Sequence, residues 1–147
     1  MKQDVGMPLD ATKTPEAFQS FGRGTLPDHL GIRVTEVREG SLRAELTVAP
    51  HHLAPNGYLH AASVIALADT AAGYATIANL PAGATSFTTI ELKCNFLGTA
   101  KTGATVACHA VAAHLGRTTQ LWDVTVTLAE KPIALFRCTQ MVLWPKP

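Results

Sequence analysis

The sequence predicts an α+β fold in which one long apolar helix lies inside an antiparallel sheet of about six strands, preceded by a short N-terminal helix. Three observations predict it. Residues 59–78 form an unbroken stretch of helical length, mostly small and apolar. Six other stretches are strand-like, the clearest alternating apolar and polar residues with period two. The links between strands are short, which favours antiparallel neighbours because parallel pairing needs a long crossover.

Residues 1–13 read as a frayed start. Thr14-Pro15-Glu16 then opens a short helix to about Phe21, with proline in its first turn. Gly22-Arg23-Gly24 and Pro27 end it. From Gly31 the period changes to two, and GIRVTEV, the Glu39-Gly40 turn and SLRAELTVA read as a hairpin. Leu42, Ala44, Leu46 and Val48 take one face of its second arm; Ser41, Arg43, Glu45 and Thr47 take the other. The long helix follows a loop at 54–58 and is closed by Asn79 and Pro81-Ala82-Gly83. Strand-like runs then cover 85–97, 103–115, 118–129 and 132–143, punctuated by Gly98, Gly103, Gly116 and Lys131-Pro132. A helix that must bury most of its circumference is well served by a twisted sheet wrapped around it. Such a sheet keeps open edges, which a second copy would close.

A chain of 147 residues is the size of one domain and buries roughly two thirds of its unfolded surface. The division read from the sequence is a tail with its short helix over 1–24 and a single domain over 25–147. Apolar residues make up 47% and charged residues 16%, an oily balance that implies surface covered by another subunit. The net charge of +1 and the lack of a Lys/Arg cluster argue against nucleic acid as partner. Cys94, Cys108 and Cys138, an odd set without close spacing, read as buried free thiols in a reducing compartment. MKQDVGMPLDATKTPEAF lacks the apolar core of a signal peptide, so a cytoplasmic location is expected. Length alone would let residues 59–78 span a bilayer, but His60, Asp69 and small polar residues within them favour a core helix and no membrane partner.

The candidate site lies in APNGYLHAASVIALADTAAGY, residues 54–74. Nine residues of helix turn through about 900° and rise roughly 13 Å, so His60 and Asp69 lie on opposite faces, far apart. If both work on one substrate, Asp69 of one chain must meet the helix start of a second. The helix start offers unpaired backbone N–H groups and a positive dipole end, suited to the negative charge of acyl transfer. An aspartate in apolar surroundings has a raised pKa and is the more basic for it; it could activate water or attack an acyl carbon itself. Blander readings stand beside these: Asp69 satisfied by Thr70 or a loop, and His60 as a cap. His51-His52 has no carboxylate or cysteine at ligand spacing, so no metal is expected.

NGYLHAASVIALADTAAGYA, followed by FTTIELKCNFLGTAKTG and HLGRTTQLWDVTV, resembles the hotdog-fold acyl-CoA thioesterases of the phenylacetate-degradation (PaaI-like) type over roughly residues 30–143. In that family a glycine, two residues and His-Gly-Gly precede an acid nine positions after the histidine; Gly57, His60 and Asp69 fit. The resemblance implies homodimers often paired into tetramers and thioester hydrolysis at the dimer interface, without metal or redox cofactor. It places Asp69 as base or nucleophile, the Ala61 N–H as oxyanion donor, and His60 as the residue fixing that turn. Ala61-Ala62 replaces the family's Gly-Gly. The Asn or Gln usual six positions before the histidine falls on Ala54, and Asn56 is the candidate substitute. The water-orienting hydroxyl falls on Thr89, which strict alternation would turn to the face of Glu91 and Lys93 unless the strand bulges. Arg117 matches a basic turn position that meets coenzyme A phosphate in relatives; a solvated turn arginine is the plainer reading. The rival to a thioesterase is a non-catalytic module that binds an acyl thioester. A hydratase is disfavoured because it would want Asp and His on one substrate atom within one chain.

Overall fold

The structure, a computed structural model, describes residues 12–147. Part of the tail read as frayed therefore lies outside the described residues. Helix α1 (Pro15–Phe21) begins where proline predicts, with Thr14 Oγ1 accepting the Ala17 N–H at 3.1 Å. Phe18 enters the main core and stacks on Tyr74 with ring centroids 5.0 Å apart. Gly22 closes the helix where a Cβ would lie 2.5 Å from the Tyr74 hydroxyl, so the close approach itself calls for glycine. Gln19 adds two bonds to the next segment, donating to the Ile32 carbonyl and accepting the Val34 N–H. A four-residue helix α2 (Leu26–His29) leads to the sheet.

Strands β1 (Arg33–Arg38) and β2 (Ser41–Thr47) form the expected hairpin, with Gly40 at a φ of 71° in its turn. Helix α3 (Ala61–Ala78) is the long apolar element, followed by β3 (Ser86–Phe96), β4 (Thr105–Leu115), β5 (Thr119–Leu128) and β6 (Lys131–Leu143). All pairings are antiparallel, in the order β1-β2-β4-β5-β6-β3. Leu67, Ala68, Ala71, Ala72 and Ala75 of α3 are fully buried. Small alanines let the sheet close around the helix, while Trp122, Leu42, Leu46, Val106, Val124 and Val126 fill the space between. By length and composition α3 could cross a membrane; here it is the core around which the sheet curls.

One expectation fails. The short link after β3 predicts that β3 and β4 are neighbours, yet β3 pairs with β6 at the far edge. Eight residues, 97–104, can reach about 26 Å, and three strand spacings amount to only about 14 Å. The link crosses the end of the sheet, bonding as it goes to the Ile133 carbonyl, the Leu59 N–H and the Val48 carbonyl. A long reach thus passes for a turn. The consequence is that β3, a strand of 11 residues, has one free edge and carries exposed Ile90, Leu92 and Phe96.

Candidate active site

The start of α3 is built by backbone bonds. A tight loop joins Leu53 to Leu59, with the Ala54 N–H donating to the Tyr58 carbonyl at 2.8 Å and Gly57 at a φ of 85°. That left-handed φ is why glycine precedes the histidine by three. His52 is buried, and its carbonyl accepts both the His60 N–H at 2.9 Å and the Ser63 hydroxyl at 2.8 Å. His60 is the N-cap: its Nδ1 accepts the Ala62 N–H at 2.8 Å. The capping reading of His60 is therefore met, and it fixes the turn. It also occupies Ala62. The Ala61 N–H has no acceptor among the described residues and stands at the exposed, positive end of an 18-residue helix. It opens on a cleft of about 350 Å³ lined by Asn56, Tyr58, Val64, Phe96 and Thr99, among others. Asn56 Oδ1 accepts the Tyr58 N–H at 3.2 Å, and its amide NH₂ group has no acceptor among the described residues.

Asp69 is not among the residues lining that cleft. It faces the other way, toward β6 and β3. One turn on from it, a Cβ on Gly73 would meet Phe87 at 3.3 Å, and the Asp69 charge reaches Cys138 of β6. Its Oδ1 is buried and has no hydrogen-bond partner among the described residues, so neither Thr70 nor a described loop satisfies it. Burial pushes its pKa above the ordinary carboxylate value. The neighbouring thiol is pushed up to about 12, by burial first and Asp69 next. Cys108 is likewise driven to about 12 by burial. Protonated, buried thiols of this kind do not act as nucleophiles.

The bulge that Thr89 requires is present. The β3–β6 register slips between Thr89 and Glu91, so that Thr89 faces Gln140 on the helix side of the sheet while Glu91 faces Thr139 on the outside. Thr89 Oγ1 donates to Gln140 Oε1 at 2.6 Å. Gln140 is fully buried, and its Nε2 is unpartnered. Sequence reasoning missed this residue, although its even-numbered place beside Cys138 and Val142 marks the inner face. Arg117 is exposed in its turn, with its guanidinium 4.1 Å from the centre of the Trp144 ring, whose indole N–H donates to the Arg117 carbonyl.

A long buried helix wrapped by an antiparallel sheet of six strands defines the hotdog architecture. Comparison with known proteins takes this further. Residues 56–133 match the family model described as the Thioesterase superfamily. The chain is 30% identical over 115 residues to 1,4-dihydroxy-2-naphthoyl-CoA hydrolase of Listeria monocytogenes, covering 78% of this chain and 92% of that one. It is 32% identical to acyl-coenzyme A thioesterase PaaI of Escherichia coli, over 74% of this chain and 75% of that one. Among solved structures, the Q49A mutant of thioesterase PA1618 from Pseudomonas aeruginosa superposes with a TM-score of 0.85 at 28% identity, over 92% and 97% of the two chains. The chain belongs to the thioesterase superfamily, as a hotdog thioesterase of the PaaI-like type.

Proposed function

We propose that two copies of this chain together hydrolyse acyl-CoA thioesters, of aryl or short-to-medium acyl groups, to the free acid and coenzyme A. One observation carries the reading. The unsatisfied donor of the Ala61 N–H ends the helix, and the unsatisfied acid of Asp69 lies eight residues, roughly 12 Å, along it and outside the cleft at that end, so a second copy is what brings such groups to one thioester. The free β3 edge and its exposed apolar residues support a two-fold partner there.

In this site the thioester oxygen points at the Ala61 N–H of one copy, with the Asn56 amide beside it. Asp69 of the other copy takes a proton from water as the water oxygen adds to the acyl carbon, or adds to that carbon itself. Negative charge gathers on the carbonyl oxygen and is met by the helix-start donor and dipole. When the tetrahedral centre collapses, the C–S bond breaks and the thiolate leaves. On the base route it takes the proton from Asp69. On the nucleophilic route it leaves an acyl-aspartyl anhydride, which water then cleaves to the free acid and Asp69 while the thiolate takes the proton released. His60 keeps Ala61 in place, and Gly57, Ala62 and Arg117 shape the approach of the coenzyme A arm. Each step is supplied by these residues and water, without metal or redox cofactor, in the cytoplasm.

The chemical test is thiol release from benzoyl-, phenylacetyl-, hexanoyl- and palmitoyl-CoA. Turnover of the first three above the last is expected. Tight binding with no thiol released would make this a non-catalytic acyl-thioester module instead. The purpose of a bare, basic carboxylate argues against that outcome, because an unused buried acid costs stability.

A further inference from the structure

Two buried polar atoms on the same wall of the site lack partners among the described residues: Asp69 Oδ1, an acceptor, and Gln140 Nε2, a donor. Register triangulates them. Gly73 meets Phe87, and Phe87 pairs with Val142. The Asp69 charge reaches Cys138, which pairs with Leu92. The Thr89–Gln140 row lies between those two rows. Asp69 precedes Gly73 by one turn, about 5.4 Å, and successive inward rows of a strand are about 6.6 Å apart, so Asp69 faces the Thr89–Gln140 row. Thr89 fixes which end of the amide points where. With its hydroxyl on Oε1, the Gln140 NH₂ group is turned to the carboxylate; the flipped amide would set oxygen against oxygen. Gly73 adds no side chain to this wall.

We propose that Gln140, held by Thr89, is a positioning residue for Asp69: its Nε2–H group bonds Oδ1 through one bridging water and leaves Oδ2 to act on the thioester. The proposal rests on Asp69 being the working carboxylate. A donor on Oδ1 favours the charged form and opposes the effect of burial. The inward titratable groups nearby are Cys94 of β3 and Cys138 of β6, both with thiol pKa values raised by burial. Glu91, Lys93, Asp123 and Arg137 are outward on β3, β5 and β6, and Arg137 holds Asp123 in a two-pronged ion pair.

The test is the pH profile of kcat/KM, together with NMR titration of the Asp69 carboxyl carbon. Gln140→Leu, close in volume, is expected to move both midpoints up by about one pH unit. Thr89→Val, which frees the amide, moves them less in the same direction. Thr139→Val on the outer face moves neither. In the unmodified protein the Gln140 side-chain NH₂ resonances shift with the Asp69 midpoint, and in Asp69→Asn they do not; this arm needs no Gln140 variant to fold. Unchanged midpoints in Gln140→Leu, or NH₂ resonances indifferent to Asp69, would overturn the proposal. If no acyl-CoA is hydrolysed, the thioesterase reading falls, while the NMR titrations still decide whether Gln140 governs Asp69.

Discussion

Gln120 ties the end of the central helix to Trp122. Its Nε2 donates to the Asn79 carbonyl at 2.8 Å, and its Oε1 accepts the Trp122 indole N–H at 3.0 Å, all inside the core. Asn79 in turn caps α3 and accepts the Gly40 N–H, so β5, the helix end and the β1–β2 turn form one chain of bonds. Trp122→Phe leaves the Gln120 oxygen without its donor. A loss of about 1–3 kcal/mol is expected from the buried unpaired acceptor, beyond the smaller ring's lost packing. Urea unfolding at fixed protein concentration measures it, and Gln120→Leu/Trp122→Phe should recover only the part due to the orphaned Gln120 oxygen, since that variant also takes the donor from the Asn79 carbonyl.

That chain of bonds shows where sequence pattern reaches and where it stops. Trp122, Val124 and Val126 announce an inward face by period two, and the register bears this out. Gln120 and Gln140 occupy the same inward phase, but an isolated polar residue in a strand gives no sign that a partner awaits it. The helix, its caps and all six strands were legible because each depends on local spacing. The place of β3 was not, since a loop's length bounds its reach without giving its direction. The separation of His60 and Asp69 was legible for a similar reason to the helix: nine residues fix an angle and a rise. The Thr89 bulge was legible only as a condition. Which of its neighbours it would meet depended on pairing with β6, more than 40 residues away.

Asp69 should illustrate the trade between function and stability. Asp69→Asn removes the base and is expected to lower kcat/KM by about 10²–10⁴. The same change removes a buried charge whose pKa burial has raised, so Tm at neutral pH should rise by a few degrees. Calorimetry beside the thiol-release assay reads both. A fall in Tm with activity retained would show that the carboxylate serves the fold and not the reaction.

The acid limb of activity follows from the same shift. In the proposed reaction the carboxylate is the working form, and its pKa lies above the ordinary 3.8. kcat/KM should therefore fall as pH drops through that raised value, earlier than an ordinary aspartate would dictate. A profile flat down to pH 4 would contradict it.

Stability has a separate acid dependence, set by His52. The ring is buried, and Nδ1 accepts the Ala49 N–H at 2.9 Å, an arrangement that only the neutral imidazole can make. Burial first, then His51 beside it, lowers its pKa below the ordinary 6.5. Between that lowered value and 6.5 the unfolded chain binds the extra proton. Stability should then decrease as pH falls below about 6.5 and level off beneath the folded-state pKa. Asp69 acts oppositely: the folded chain holds its proton more tightly, so its charge penalty is relieved as pH falls through the raised value. Tm measured from pH 8 to 4 should show the His52 decline, and His52→Asn, which keeps an acceptor near Nδ1 but does not titrate there, should flatten it. An unchanged slope in that variant would assign the decline to other groups.

The shared site makes the sharpest prediction. Asp69→Ala destroys the acid and leaves the helix start; Ala61→Pro removes the donor N–H at a first-turn position where proline is tolerated, and leaves the acid. Each homodimer then has two broken sites. Mixed in equal amounts and allowed to exchange, half of the dimers are heterodimers. Each of these joins Asp69 of the Ala61→Pro chain to the intact helix start of the Asp69→Ala chain, giving one whole site of two. Activity per total subunit should rise from near zero to about a quarter of the unmodified value. Separately tagged chains, pulled down in sequence, confirm that heterodimers form, and circular dichroism confirms that each variant folds. Proven heterodimers that remain inactive would place the donor and the acid in one chain, against the roughly 12 Å of helix between Ala61 and Asp69.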